Sequence, residues 1–172
     1  KNNSLILFLL LVASTLRLYN VFDLQYTYDE LSAVDRLRFD SFSELITKGV
    51  MIDAHPALVQ VWMYYYSLVF GTTEWLMKLP FIFMGVASVY LIYKIGKRWF
   101  NETTGLLAAT VLTCAQYFVF YSVTARPYVS GLFLCLFVLN YWLEILFNDS
   151  VKLKHYVWFA IFAALAALNH HF

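Results

Sequence analysis

The run Leu76–Tyr93, LMKLPFIFMGVASVYLIY, holds eighteen residues and a single charge, Lys78, near its start. Coiled as a helix it is about 27 Å long, enough to cross most of a ~30 Å hydrocarbon core. Lys94, Lys97 and Arg98 follow it at once. Four further runs of similar length lie at Ser4–Phe22, Gly105–Ser122, Tyr128–Phe147 and Tyr156–Phe172. Together they predict an all-α polytopic membrane protein with about five transmembrane helices.

Composition supports lipid as the solvent. Hydrophobic residues make up 62% of the 172, aromatics 20% and charged residues 13%, against roughly 45–50% apolar and 25% charged in a soluble domain. A net charge of +1 gives no basic footprint for nucleic acid. Cys114 and Cys135 lie in apolar runs and make neither a disulfide framework nor a zinc site. The first run has only Lys1 as a basic flank and lacks a small-residue cleavage site, so it reads as a retained helix. The chain begins at Lys1 and stops at Phe172 inside an apolar stretch. We therefore expect a piece of a longer protein, inactive alone, with 1–172 forming the N-terminal part of one transmembrane domain.

A sixth apolar stretch, Ala57–Phe70, is only 14 residues long and opens after His55-Pro56. Trp62 and the Tyr64-Tyr65-Tyr66 run suit the membrane interface, so this stretch is expected to lie there rather than to span. With five spans, the basic loops at Lys94–Arg98 and Lys152–Lys154 share a side, cytoplasmic by the positive-inside rule. The outer loop 23–75 then faces outside, with the Ser122–Tyr128 turn. That loop holds eight of the eleven acids. Within it Leu31, Val34, Phe42, Leu45 and Ile46 predict an amphipathic juxtamembrane helix over Leu31–Thr47, ended by Gly49.

The chemistry-bearing residues collect at the predicted outer boundary. Asp29-Glu30 offers two carboxylates for general-base or metal-binding work. Thr27-Tyr28-Asp29-Glu30 equally has the spacing of a helix capping box. His55, before Pro56, is either a phosphate partner or simply the residue preceding a helix. Arg126 is the sole basic residue of its turn, suited to a lipid-linked phosphate or to snorkelling toward headgroups. His170 and His171 are adjacent, so about 100° separates them on a helix and at most one serves a given site. Asn101-Glu102-Thr103 and Asn148-Asp149-Ser150 match the glycosylation pattern, but both fall on the predicted inside. P-loop, GxGxxG, HExxH and GxSxG motifs are absent.

In order and spacing these pieces resemble the GT-C superfamily of polytopic glycosyltransferases. The resemblance is to the branch of dolichyl-phosphate-mannose–protein mannosyltransferases and lipid A aminoarabinose transferases. It rests on Tyr28-Asp29-Glu30, His55-Pro56-Ala57-Leu58, Lys78-Leu79-Pro80, Tyr93–Phe100, the Tyr121-to-Tyr128 turn and Leu168–Phe172. The resemblance implies transfer of a sugar from a polyprenyl-phosphate donor at the extracytoplasmic face. It implies a bacterial inner-membrane location, with the active site facing outside. It assigns Asp29, with Glu30 beside it, as catalytic base or metal-holding acid, and sets His55 where relatives place a cationic or histidine residue. His55, Arg126 and His170 are read as donor-phosphate partners, Arg126 standing where some relatives have Asp. A divalent cation at Asp29 is the one cofactor it suggests. Thr124 stands where many relatives have Glu, so the turn supplies no second metal-binding acid. The acceptor is a lipid, glycan or protein. Two rival classes are a non-catalytic membrane subunit of the same fold and a lipid or solute transporter. The transporter fits less well, because ion-coupled carriers place ionisable groups near mid-bilayer and the middles of these spans lack them.

Overall fold

A computed structural model describes residues 3–52 and 56–169. The first helix, α1 (Asn3–Leu18), stops short of the expected boundary because Asn20 takes a positive φ of 55°. An extended segment leads to Thr27, whose side chain accepts the Glu30 amide at 3.3 Å while Glu30 accepts the Thr27 amide at 2.9 Å. This reciprocal capping box starts α2 (Tyr28–Asp35).

The amphipathic helix expected over Leu31–Thr47 is divided. After α2 the chain turns through Arg36–Asp40 and restarts at Ser41, which caps α3 (Phe42–Glu44); a π-helical turn, Leu45–Val50, continues it. Tertiary partners take over the backbone groups released by the break. Gln60 donates to the Ala33 carbonyl at 3.0 Å, and Tyr64 donates to the Phe39 carbonyl at 3.2 Å. Periodicity alone carries no sign of such contacts.

Helix α4 (Ala57–Phe70) ends at Gly71, whose φ of 79° suits glycine. The 26-residue α5 (Glu74–Trp99) extends past the predicted span at both ends and contains Pro80. Proline has no amide to give the Leu76 carbonyl, and the Tyr66 hydroxyl donates to that carbonyl at 3.2 Å instead. The bond also ties α4 to α5.

The third expected span is broken. Helix α6 (Glu102–Cys114) and α7 (Gln116–Ser122) meet at Ala115 with a bend of 63°. Helix α8 (Pro127–Phe147) opens with proline in its first turn, where no amide is needed, and α9 (Leu153–Asn169) packs against it. Helices α5 and α8 are each long and apolar enough to cross a membrane, and the bent α6–α7 pair makes a third; α1, α4 and α9 are shorter apolar helices. The architecture is the expected all-α membrane protein. The two glycosylation-like asparagines have local work: Asn101 caps α6, and Asn148 bonds Glu144 and the Ser150 amide.

Helix α5 is the central element, packed on α1, α6, α7 and α8. It approaches α6 so closely at Gly96 and Gly105 that a Cβ on Gly96 would sit 2.7 Å from the Gly105 Cα. One apolar cluster, with Ile6, Ala13, Val89, Tyr93, Ala109 and Leu112, joins α1, α5 and α6. A second packs α2, the π turn and α4 onto the start of α5 and α8, through Val34, Leu45, Met63, Phe81 and Val129. Large apolar side chains such as Leu7, Leu11, Phe83, Leu107 and Leu146 cover the outside, as lipid contact requires.

The polar groups sort to two ends. The loop before α2, the start of α5, the 123–126 turn and the start of α8 share one end, joined by bonds among Gln25, Lys78, Glu30 and Ala125. The basic loops after α5 and α8 share the other, where Arg98 pairs with Glu144 at 2.8 Å. This is the grouping that the charge distribution predicted.

Candidate active site

The capping box at α2 fixes the directions of two neighbouring carboxylates. Glu30 turns inward and is fully buried. Its Oε1 accepts the Ala125 amide at 2.7 Å. Its Oε2 accepts from Thr27 and lies 3.3 Å from the Lys78 ammonium. Lys78, 3% exposed, also donates to the Gln25 carbonyl at 2.8 Å. A buried ion pair survives when its remaining donors and acceptors are satisfied, and here the backbone supplies them. Glu30 thus spends both oxygens on joining α2 to α5 and to the 123–126 turn.

Asp29 faces outward from the same helical turn. Its Oδ2 accepts from Arg126 Nε at 3.0 Å and from the Tyr128 hydroxyl at 3.3 Å. Its side chain is 46% exposed, whereas that of Arg126 is 4% exposed. Asp29 is therefore the member of the pair that an incoming group meets in water, and Arg126 is a largely desolvated cation behind it. Arg126 is held by its position as N-cap residue of α8, with extended backbone, and by the Ala125 amide bond to Glu30 just before it. The two acids thus reach neighbouring residues across nearly one hundred positions of sequence.

Tyr128 has a second role. With Tyr117, Phe118, Tyr121, Val129 and Leu132 it lines an aromatic cleft of about 330 Å³ between α7 and α8. The Tyr121 and Tyr128 rings pack edge to face at 4.5 Å between centroids. Tyr128 thus connects the cleft to the Asp29–Arg126 pair through its hydroxyl. On the other flank Tyr26 donates to the Thr72 carbonyl at 2.8 Å and lies 5.8 Å from the Lys78 ammonium. Burial, with Glu74 and Glu30 nearby, pushes the Tyr26 phenol well above its ordinary range.

Of the site residues read from sequence, Asp29, Glu30 and Arg126 come together. His55 and His170 lie outside the described residues. Lys78 and Tyr128 also join the site; in the sequence they stand only within the family-like motifs, with no site role attached, and Tyr128 is one aromatic among thirty-four. Among the described residues no three His, Cys, Asp or Glu side chains gather to hold a metal. A guanidinium and a phenol bond Oδ2 of Asp29, and both oxygens of Glu30 are taken.

Comparison with known proteins adds a family. The family model described as dolichyl-phosphate-mannose-protein mannosyltransferase matches residues 54–172. That interval contains Lys78, Arg126 and Tyr128 and begins after Asp29 and Glu30. No curated protein and no solved structure gives a significant match.

Proposed function

The chain belongs to the dolichyl-phosphate-mannose-protein mannosyltransferase family, a membrane glycosyltransferase family of GT-C type, and from that premise we propose that it forms the donor-side part of an active site using a polyprenyl-phosphate sugar. The observation that carries the proposal is the Asp29–Arg126 pair, linked by the Tyr128 hydroxyl to the aromatic cleft that Tyr128 lines. An isoprenoid chain is apolar and suits the Tyr117–Leu132 cleft, while its phosphate is anionic and suits the desolvated guanidinium of Arg126.

In the proposed reaction an acceptor hydroxyl attacks the anomeric carbon of the sugar. The new bond forms from the acceptor oxygen, and the bond from the anomeric carbon to the phosphate oxygen breaks, its electron pair leaving with the phosphate. Asp29 takes the acceptor proton through the carboxylate oxygen not bonded to Arg126. Arg126 stabilises the charge that builds on the departing phosphate. Glu30 and Lys78 hold the pair in place from below, and no step is routed through a metal. His55 and His170 are further proposed donor-phosphate partners.

The site end of the bundle is proposed to face outside, because the opposite end carries Lys94, Lys97, Arg98, Lys152 and Lys154. A cysteine replacing Asp23 should then react with an impermeant label applied from outside, and one replacing Glu102 should not. The catalytic assignment is tested by Asp29→Asn in the full-length protein. Asparagine keeps the shape but cannot take a proton, so transfer from a polyprenyl-phosphate sugar should fall by on the order of 10²–10⁴. Transfer at the wild-type rate would remove Asp29 as base.

A further inference from the structure

Arg17 lies in the last turn of α1 and is 1% exposed. Among the described residues it forms no ion pair with a carboxylate. Its Nη2 donates to the Leu112 carbonyl at 2.8 Å and its Nη1 to the Thr113 carbonyl at 3.4 Å. Nη1 also reaches Ala13 O of its own helix at 3.2 Å. Its Nε donates to the Ser122 hydroxyl at 3.1 Å, and that hydroxyl in turn donates to the Phe118 carbonyl at 2.6 Å.

These acceptors mark both ends of one short helix. Leu112 and Thr113 are among the last residues of α6, and the bend at Ala115 removes the amides that would have continued the helical ladder. In a lipid setting such carbonyls must find another donor. Ser122 is the last residue of α7. A single planar guanidinium therefore caps the break before α7 and grips the far end of α7. The space for it is made by Gly85 of α5, where an added Cβ would collide with the Ser122 side chain and lie 3.1 Å from Arg17 Nε. Beyond Ser122 the chain needs only Val123–Ala125 to reach Arg126, which contacts Asp29.

We infer that Arg17 is a positioning residue of this site: it sets the angle of α7 and so delivers the 123–126 turn, with Arg126, to Asp29 and the donor phosphate. It does so without touching substrate. The inference rests on the proposed roles of Asp29 and Arg126 for its kinetic effect, but its structural content stands apart from them. Lysine keeps the charge but offers one ammonium on a flexible stem, which cannot span both ends of α7.

The test uses the full-length protein in lipid bilayers, with a polyprenyl-phosphate sugar as donor and hydrogen exchange over Val123–Tyr128 as a second readout. Arg17→Lys should lower kcat by on the order of tenfold, as a displaced catalytic geometry does, while exchange at the Ala125 amide quickens. In an Arg126→Ala background the same substitution should cost less than twofold, because coupled residues are not additive. Ser122→Ala retains the carbonyl caps and releases only the end of α7, so it should reproduce the pattern more weakly where Arg17→Lys fails to fold. Equal losses in both backgrounds, or unchanged exchange over Val123–Tyr128, would overturn the inference. If the wild-type chain transfers no sugar, the functional proposal fails, and exchange alone decides the role of Arg17.

Discussion

At the site end of the bundle, Glu30 and Lys78 are 0% and 3% exposed and 3.3 Å apart; at the opposite end Lys97 and Glu102 stand 3.2 Å apart at 46% and 30%. The separations match and the energetics do not. An exposed pair is screened and contributes little, whereas a buried pair is costly to break from one side. Connectivity differs as well. Lys97 and Glu102 are five residues apart across a hairpin, while the bonds of Glu30 to Ala125 and of Asp29 to Arg126 close separations of 95 and 97 residues. Even the long-range pair at the opposite end, Arg98 with Glu144, leaves its arginine half exposed. One end is thus a surface of partly exposed ion pairs, and the other is a network that holds a carboxylate and a cation in fixed relation. Only the second is built like a reaction site.

Substitutions at the two ends probe this contrast, beginning with the largest effect. Asp29→Asn should cost on the order of 10²–10⁴ in transfer rate, while Glu102→Gln should leave the rate within about twofold. Comparable losses at both ends would erase the contrast. Glu30→Gln leaves the Lys78 charge buried without its partner, and unfolding in detergent should show about 3 kcal/mol of lost stability. The matching Glu102→Gln loss should stay below about 1 kcal/mol.

At the next scale the ends should converge, since a single neutral bond or cap is worth about 1 kcal/mol wherever it lies. Tyr66→Phe, which orphans the Leu76 carbonyl opposite Pro80, and Asn101→Ala, which uncaps α6, should each lower stability by about that amount in the same assay. A much larger loss for Tyr66→Phe would mean that the network extends into α4.

The smallest expected effect is a pH dependence. Tyr26 has a phenol pKa raised by burial and by nearby acids. Its contribution to stability is complete below the unfolded value of about 10 and is lost as pH rises above it. The melting temperature should therefore fall more steeply above pH ~10 in the wild type than in Tyr26→Phe. Identical slopes would show that Tyr26 ionises as an exposed phenol does.

Much of this was legible before folding. The apolar runs marked the apolar helices, two or three of which are long enough to cross a membrane, and the Lys/Arg clusters marked loops that share an end, because hydrophobicity and charge are local properties that lipid reads directly. The spacing Thr27 to Glu30 gave the cap, since a capping box is closed within four residues. What was not legible were the breaks. Gly105–Ser122 reads as one continuous span, and nothing in that run announces a 63° bend at Ala115. The donors that make the bend tolerable sit on α1, at Arg17. Arg17 itself lies inside the first apolar run, where no local pattern links it to that bend.

The sequence by itself determined that the chain is helical, membrane-embedded and polar at one boundary, and that Asp29, Glu30 and Arg126 lie at that boundary. Only the tertiary structure decided how the acids divide their roles. Adjacent helical residues point about 100° apart, and the capping box turns Glu30 back toward Thr27, but that local motif does not decide which of the two acids is buried. Lys78 from α5 and the Ala125 amide supply the buried partners that draw Glu30 in. Asp29 is left half exposed beside Arg126 and the aromatic cleft. The reason is energetic: a buried carboxylate needs several donors at once, and here those donors come from elements far apart in sequence, so no local pattern records them.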